Sequence, residues 1–260
     1  MTNLLVRPRD PAPDGTIVSV TPESAAWGHV GFEVLALDAG RTARRATEGK
    51  ELCVVVVDGI CRVSSEHGDW ELGGRTDPFS GPPAAAYLPP RTEVALTGDG
   101  EVALCWAPAD GGAPARVLQP GAVEVRGRDS FERRIHNILM ADEAADALLV
   151  TEVLTPGGHW SSYPPHKHDR DAMPDESFLE ETYYHRIVPA HGFGLQRVYT
   201  GDGSLDESVA VRDRDTVLVP RGYHTVSAPP GYDLYYLNVM AGPKRAWAIA
   251  NDPDHDWMLR

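Results

Sequence analysis

His166 and His168 stand one residue apart in the run SSYPPHKHD. In an extended chain that spacing turns both imidazoles to one face, because side chains alternate with period two. Pro164 and Pro165 hold the preceding backbone extended. Downstream, in LEETYYHRIV, Glu181, Tyr183 and His185 share one face of a strand, while Glu180, Thr182, Tyr184 and Arg186 share the other. His224 follows the turn-forming run VPRG. Three imidazoles and a carboxylate make a donor set for Zn, Mn, Fe or another divalent ion, with open positions for a substrate. A His-x-His pair is common in exposed loops and carries little weight alone. The prolines before it, the strand-borne glutamate and the turn-borne third histidine make metal binding the better reading, with one divalent ion per chain.

Those residues need strands and turns to hold them, and the composition supplies both. The chain has 260 residues, with 25 Gly and 22 Pro. Both are poor in helix interiors, which argues against a helical bundle. Short apolar or alternating runs such as TIVSV, ELCVVVV, EVALCWAP and DTVLVP lie between Gly, Pro and Asp, the pattern of strands bounded by turns. Only ADEAADALL reads as helical, and residues 1–15 read as an extended arm. Two series of strands resemble each other in order. Each has a strand after Glu (ELCVVVVDG, EETYYHRIV), a strand ending in Pro (AAAYLPP, DTVLVP) and a final aromatic-bearing strand (EVALCWAP, DLYYLNVM). The weak repeat predicts an all-β protein of two tandem β-barrels with few short helices. Residues 1–120 form one and 121–260 the other, with the linker near 110–130.

With 24 Lys and Arg against 38 Asp and Glu, the net charge is -14. That excludes nucleic acid and anionic membrane as partners. It does not exclude a small anion, since local arginines or a metal reverse the sign within a pocket. Cys53, Cys61 and Cys105 are few, odd in number and set in apolar runs, as expected for reduced, buried thiols. No apolar stretch has the length of a signal peptide core or a membrane span, so a cytoplasmic protein is expected.

The order Gly158, His166, His168, Glu181, Gly192, then Pro220, Gly222, His224, resembles the two motifs of the cupin superfamily. The gap between His168 and Glu181 is longer than in most cupins, so Glu176 and Glu180 stand as alternative carboxylates, with strand register favouring Glu181. The runs WSSYPPHKHD, LEETYYHR, GFGLQRVYT, VPRGYHTVSAPPGYDLYYLNVMAG and NDPDHDW are similar to the 5-deoxy-glucuronate isomerase family of myo-inositol catabolism, related to the 4-deoxy-threo-hexosulose-uronate ketol-isomerases. The similarity implies two cupin barrels, with the metal (Zn, Mn or Fe) in the second alone. The first carries Glu51 but no His-x-His before it.

It further implies an aldose–ketose isomerase acting on a small sugar acid, 5-deoxy-D-glucuronate, in a homo-oligomer. A cupin Fe(II) dioxygenase and a non-catalytic sugar-acid-binding cupin are the competing readings. The implied metal ligands are His166, His168, Glu181 and His224. Candidate bases are Glu152, Asp169 and His185. For the substrate carboxylate, Arg197 beside Gln196 is preferred over Arg186, Arg221 and Lys167. Tyr183, Tyr223 and Tyr236 are candidates for the sugar hydroxyls.

Overall fold

A computed structural model describes residues 3–119 and 121–259. Strands dominate; the only helices among the described residues are Pro22–Ala25 and the short 3-10 turns Asp129–Phe131 and Pro253–Leu259. The chain divides into two compact units. One is made of Pro8–Ala122 and His136–Thr151. The other takes residues up to Arg7, then Val123–Ile135, then the chain from Glu152 onward. The division thus differs from a single cut near residue 120. The start of the extended arm joins the second unit because strand Leu5–Val6 pairs with Val217 and Thr216. Residues 1, 2, 120 and 260 of the expected domains and arm lie outside the described residues.

The first unit is built on an eight-stranded antiparallel sheet. Its centre is the pairing of Lys50–Ser65 with Glu93–Pro108 over nearly their whole length. Leu52, Val54 and Val56 point into a core shared with Leu35, Leu88, Leu96 and Leu104. Cys53 and Val55, on the opposite face, are fully buried too. A strand buried on both faces needs an unbroken apolar run, and CVVVV provides it. The three cysteines are free and buried, and burial pushes the Cys61 thiol up to about 12.

The helix expected over ADEAADALL does not form; residues 141–148 are turns and bends. The backbone N–H groups of Asp146, Ala147 and Leu148 donate instead to the Glu51 carboxylate, at 2.6–2.9 Å. Charge-assisted bonds to a buried carboxylate outweigh the weak propensity of so short a stretch.

The second unit has a seven-stranded and a five-stranded sheet. In the larger, the order is Leu5–Val6, Thr216–Val219, Glu180–Val188, Asp233–Ala241, Leu149–Thr155, Arg133–Leu139, Glu124–Arg126. In the smaller it is Asp206–Val211, Gly194–Tyr199, Tyr223–Ser227, Trp160–Lys167, Ala250–Asn251. Val153, Tyr183, Ile187, Val217 and Leu234 from one sheet and Val198, Val211 and Val226 from the other form a single apolar cluster. Each such side chain taken from water contributes about 1.5–3 kcal/mol. Tyr183 and Ile187 lie in this cluster, so the period of two turns Glu181 and His185 to the same interior.

Candidate metal centre

Two strands of the smaller sheet bring the imidazoles of His166 and His224 edge to face. His166, on Trp160–Lys167, pairs directly with His224, on Tyr223–Ser227. Their ring centroids are 4.6 Å apart. His224 reaches this position through a tight turn at Gly222, whose φ is +90°. A side chain there would collide with the Tyr199 carbonyl oxygen, so glycine is required. The Gly222 N–H is held by Asp169 Oδ2 at 2.9 Å.

His168 lies just beyond the strand end. Its Nδ1 faces the Leu179 carbonyl at 3.0 Å, and His224 Nδ1 faces the Gly222 carbonyl at 3.1 Å. A carbonyl only accepts, so both Nδ1 atoms carry a proton, and both Nε2 atoms turn inward, where a proton or a cation can lie between them and Glu181. Glu181 Oε2 lies 3.1 Å from His168 Nε2 and 3.2 Å from His224 Nε2, the latter without hydrogen-bond alignment. Asn238 Nδ2 donates to the other oxygen, Oε1, at 2.6 Å.

Ligand nitrogens of His166, His168 and His224 all lie within 4.8 Å of one another, and all three residues are buried. His166 Nε2 is buried with no hydrogen-bond partner among the described residues. Leaving such an atom unpaired costs free energy unless something binds it. Three inward ring nitrogens beside a carboxylate, those of His166 and His224 without a hydrogen-bond partner among the described residues, fit a divalent cation.

The electrostatics mark His166 as a neutral imidazole and His168 and Glu181 as a pair that holds positive charge between them. Burial, reinforced by the charges of His224, His168 and Arg133, holds the His166 imidazole well below its usual range. A neutral imidazole is the form that binds metal. Burial would also lower His168, but the Glu181 carboxylate reverses the sign and raises it. Burial would raise Glu181, and contact with His168 and His224 holds it low instead.

The interior also takes in other expected residues. Tyr183 is buried, 5.7 Å from His224 between ring centroids. Tyr236 is buried and hydrogen-bonded to Ser161. His185 is fully buried beyond Tyr183, and its Nε2 meets Gln196 Oε1 at 2.9 Å. Burial pushes His185 down to about 4.

Others are placed elsewhere. Glu152 is buried, but its neighbour Val153 is the one in the core; Glu152 turns to the opposite face and accepts from Tyr235 at 3.0 Å. Asp169 accepts from Lys167 Nζ at 2.6 Å and shapes the Gly222 turn. Of the alternative carboxylates, Glu176 accepts from Lys167 and Arg170, and Glu180 alternates away from Glu181. Arg197 is 45% exposed and forks Asp206 with two bonds of 2.8 Å. Tyr223 alternates away from His224 and packs near Tyr199 and Lys167.

Three neighbours of the cluster were not among the expected site residues. Asn238 was reachable by register, two residues beyond Tyr236. Trp247 packs against His166 and His168 at 5.9 and 5.6 Å, and Ser161 meets Tyr236. Nothing local marks either of these two.

An all-β, cupin-type fold around a buried three-histidine cluster defines the class of protein. Oxalate decarboxylase structures share that fold, for example at TM-score 0.68 and 11% identity over 96% of this chain and 80% of theirs. A model of the KduI/IolB family matches residues 4–258, and the chain belongs to that family. It is 53% identical to the 5-deoxy-glucuronate isomerase of Geobacillus kaustophilus (strain HTA426), over 100% of this chain and 96% of that protein. Identity to the enzyme of the same name from Bacillus subtilis (strain 168) is 44%, over 92% and 91%. The crystal structure of an IolB-like protein from Salmonella typhimurium LT2 superposes at TM-score 0.96 with 44% identity, covering 99% of this chain and 100% of that one.

Proposed function

We propose that this protein is a metal-dependent aldose–ketose isomerase converting 5-deoxy-D-glucuronate to 5-dehydro-2-deoxy-D-gluconate. The observation that carries the chemistry is the convergence of His166, His168 and His224 on one buried point beside Glu181. The relatives' names supply the substrate. His166, His168, Glu181 and His224 would hold one divalent ion (Zn, Mn or Fe), which supplies Lewis-acid polarisation of the carbonyl when bound.

The protein's own groups do the rest. Asn238 orients the Glu181 carboxylate, and the Leu179 and Gly222 carbonyls fix the His168 and His224 tautomers. A proton must leave the carbon beside the aldehyde and return to the aldehyde carbon. Of the candidate bases, only His185 faces the shared interior. Its Nδ1 has no hydrogen-bond partner among the described residues, and burial keeps the ring neutral and able to accept. Tyr183 and Tyr236 line the same interior and meet the sugar hydroxyls.

Each compact unit corresponds to one barrel of a bicupin, with the metal in the second only. A homo-oligomer in the cytoplasm completes the reading. Among the described residues no helix is long and apolar enough to cross a membrane.

NMR of the purified protein with 5-deoxy-glucuronate tests the reaction. Conversion to the keto acid without oxygen or nicotinamide is expected, with about one divalent ion per chain by elemental analysis. His166→Ala and His224→Ala should lose the ion and more than about a hundredfold in rate, beyond what loss of an outer partner costs. Oxygen consumption coupled to turnover would replace the isomerase with a dioxygenase.

A further inference from the structure

A sugar acid brings a carboxylate into the site, and a carboxylate leaving water needs a cation. The cations nearest the motifs are committed elsewhere. Arg197 forks Asp206, Arg186 pairs with Asp213 at 3.1 Å, Lys167 bridges Asp169 and Glu176, and Arg221 binds Ser204 at the surface.

Arg133 is different. It opens the strand Arg133–Leu139, which pairs antiparallel with Glu124–Arg126. Ile135, two residues on, belongs to the core cluster with Tyr183, Val198 and Tyr236. Alternation therefore turns Arg133 toward that interior and the exposed Arg134 away from it. The Arg133 charge is felt at His166, and Arg133 lies within electrostatic reach of the neutral phenols of Tyr183 and Tyr236.

Most of its guanidinium donors have no protein partner among the described residues. Among the described residues its one hydrogen bond runs from Nη1 to the Phe131 carbonyl, at 3.4 Å. No carboxylate among the described residues forms an ion pair with it. The carboxylate whose charge reaches it, Glu124, is already gripped by Arg126 at 2.6 and 2.9 Å. Burial pushes the Arg133 guanidinium below the ordinary arginine value, the mark of a cation short of a partner.

We propose that Arg133 is the specificity residue that receives the substrate carboxylate, while the aldehyde end of the sugar lies at the histidine cluster. A guanidinium offers a planar two-pronged fork that matches a carboxylate, and this one faces the interior with most of its donors unused. The assignment rests on the isomerase reading above. It explains how a protein of net charge -14 admits an anion, and it separates a uronate from the neutral sugar of the same length.

The test compares 5-deoxy-glucuronate with 5-deoxy-glucose, which has a hydroxymethyl group in place of the carboxylate. In Arg133→Gln, kcat/KM for the uronate should fall roughly a hundredfold, and the rate with the neutral sugar should stay within a few-fold of wild type. Arg133→Lys should recover part of the uronate rate, because it restores charge without the fork. Metal content should be unchanged in both variants. Equal losses on both sugars, or no loss on the uronate, would overturn the assignment. A wild-type protein inert toward both sugars removes the isomerase reading instead. Arg133 is then judged by calorimetric binding of glucuronate against glucose. A glucuronate preference abolished by Arg133→Gln sustains the carboxylate site, and no preference in the wild type refutes it.

Discussion

Glu51 and Glu181 each open a long strand, each within a compact unit of its own, and each is almost wholly buried. A buried carboxylate must be matched, and the two units match theirs in different ways. Glu51 accepts three backbone N–H groups from residues 146–148 and the Tyr87 hydroxyl at 2.6 Å. Those donors are fixed and fill its oxygens, so no lone pair is left for an ion. Glu181 meets two imidazole nitrogens and one amide instead. Imidazoles with their Nδ1 protons spent on carbonyls turn Nε2 to the carboxylate, an arrangement that favours a positive charge, proton or metal, at the centre. One carboxylate clamps a loop and the other lies among imidazoles that could hold an ion with it, and the partners rather than the glutamate make the difference.

Removing each carboxylate's partners or charge is the way to break this contrast. Glu51→Gln keeps the shape but replaces one acceptor oxygen with a donor facing N–H groups. It should cost on the order of 3–5 kcal/mol in urea unfolding, with metal content unchanged. A cost below about 1 kcal/mol, or loss of the ion, would mean that Glu51 is not a clamp.

His185 sharpens the contrast by acid sensitivity. Burial depresses it from 6.5 to about 4. The stability it contributes is therefore complete above about pH 6.5 and is lost as pH falls through 4. In chelator-stripped protein, wild type should lose about 3 kcal/mol more than His185→Gln between pH 7 and pH 4. Parallel pH profiles for the two proteins would show that His185 is not held neutral by the core.

The smallest effect belongs to Asn238. Glu181 depends on this one side chain where Glu51 depends on backbone, so Asn238→Ala should weaken metal about 10- to 100-fold in chelator competition. Unaltered affinity would place Asn238 outside the centre's support.

Much of the centre was legible because its logic is local. The period of two puts Glu181, Tyr183 and His185 on one face, and the structure places Tyr183 in the core with both neighbours buried. The VPRG turn likewise delivers His224. Arg197 points to the exposed side because its neighbour Gln196 faces inward and adjacent residues on a strand point to opposite sides. Glu152 stands opposite the core for the same reason beside Val153. The helix expected over 141–149 failed because propensity is blind to a carboxylate about a hundred residues earlier in the chain.

The amino-acid sequence by itself determined the all-β class, the donor types and the face each donor takes along its own strand, since these follow from composition and from backbone geometry over a few residues. Tertiary structure alone decided that His166 stands opposite His224, that Asn238 grips Glu181, that Glu51 is spent on a loop, and that Arg133 looks inward with its fork open. Each of these depends on which distant strands pair and in what register. That choice is made by burial summed over the whole core, and no local spacing encodes it.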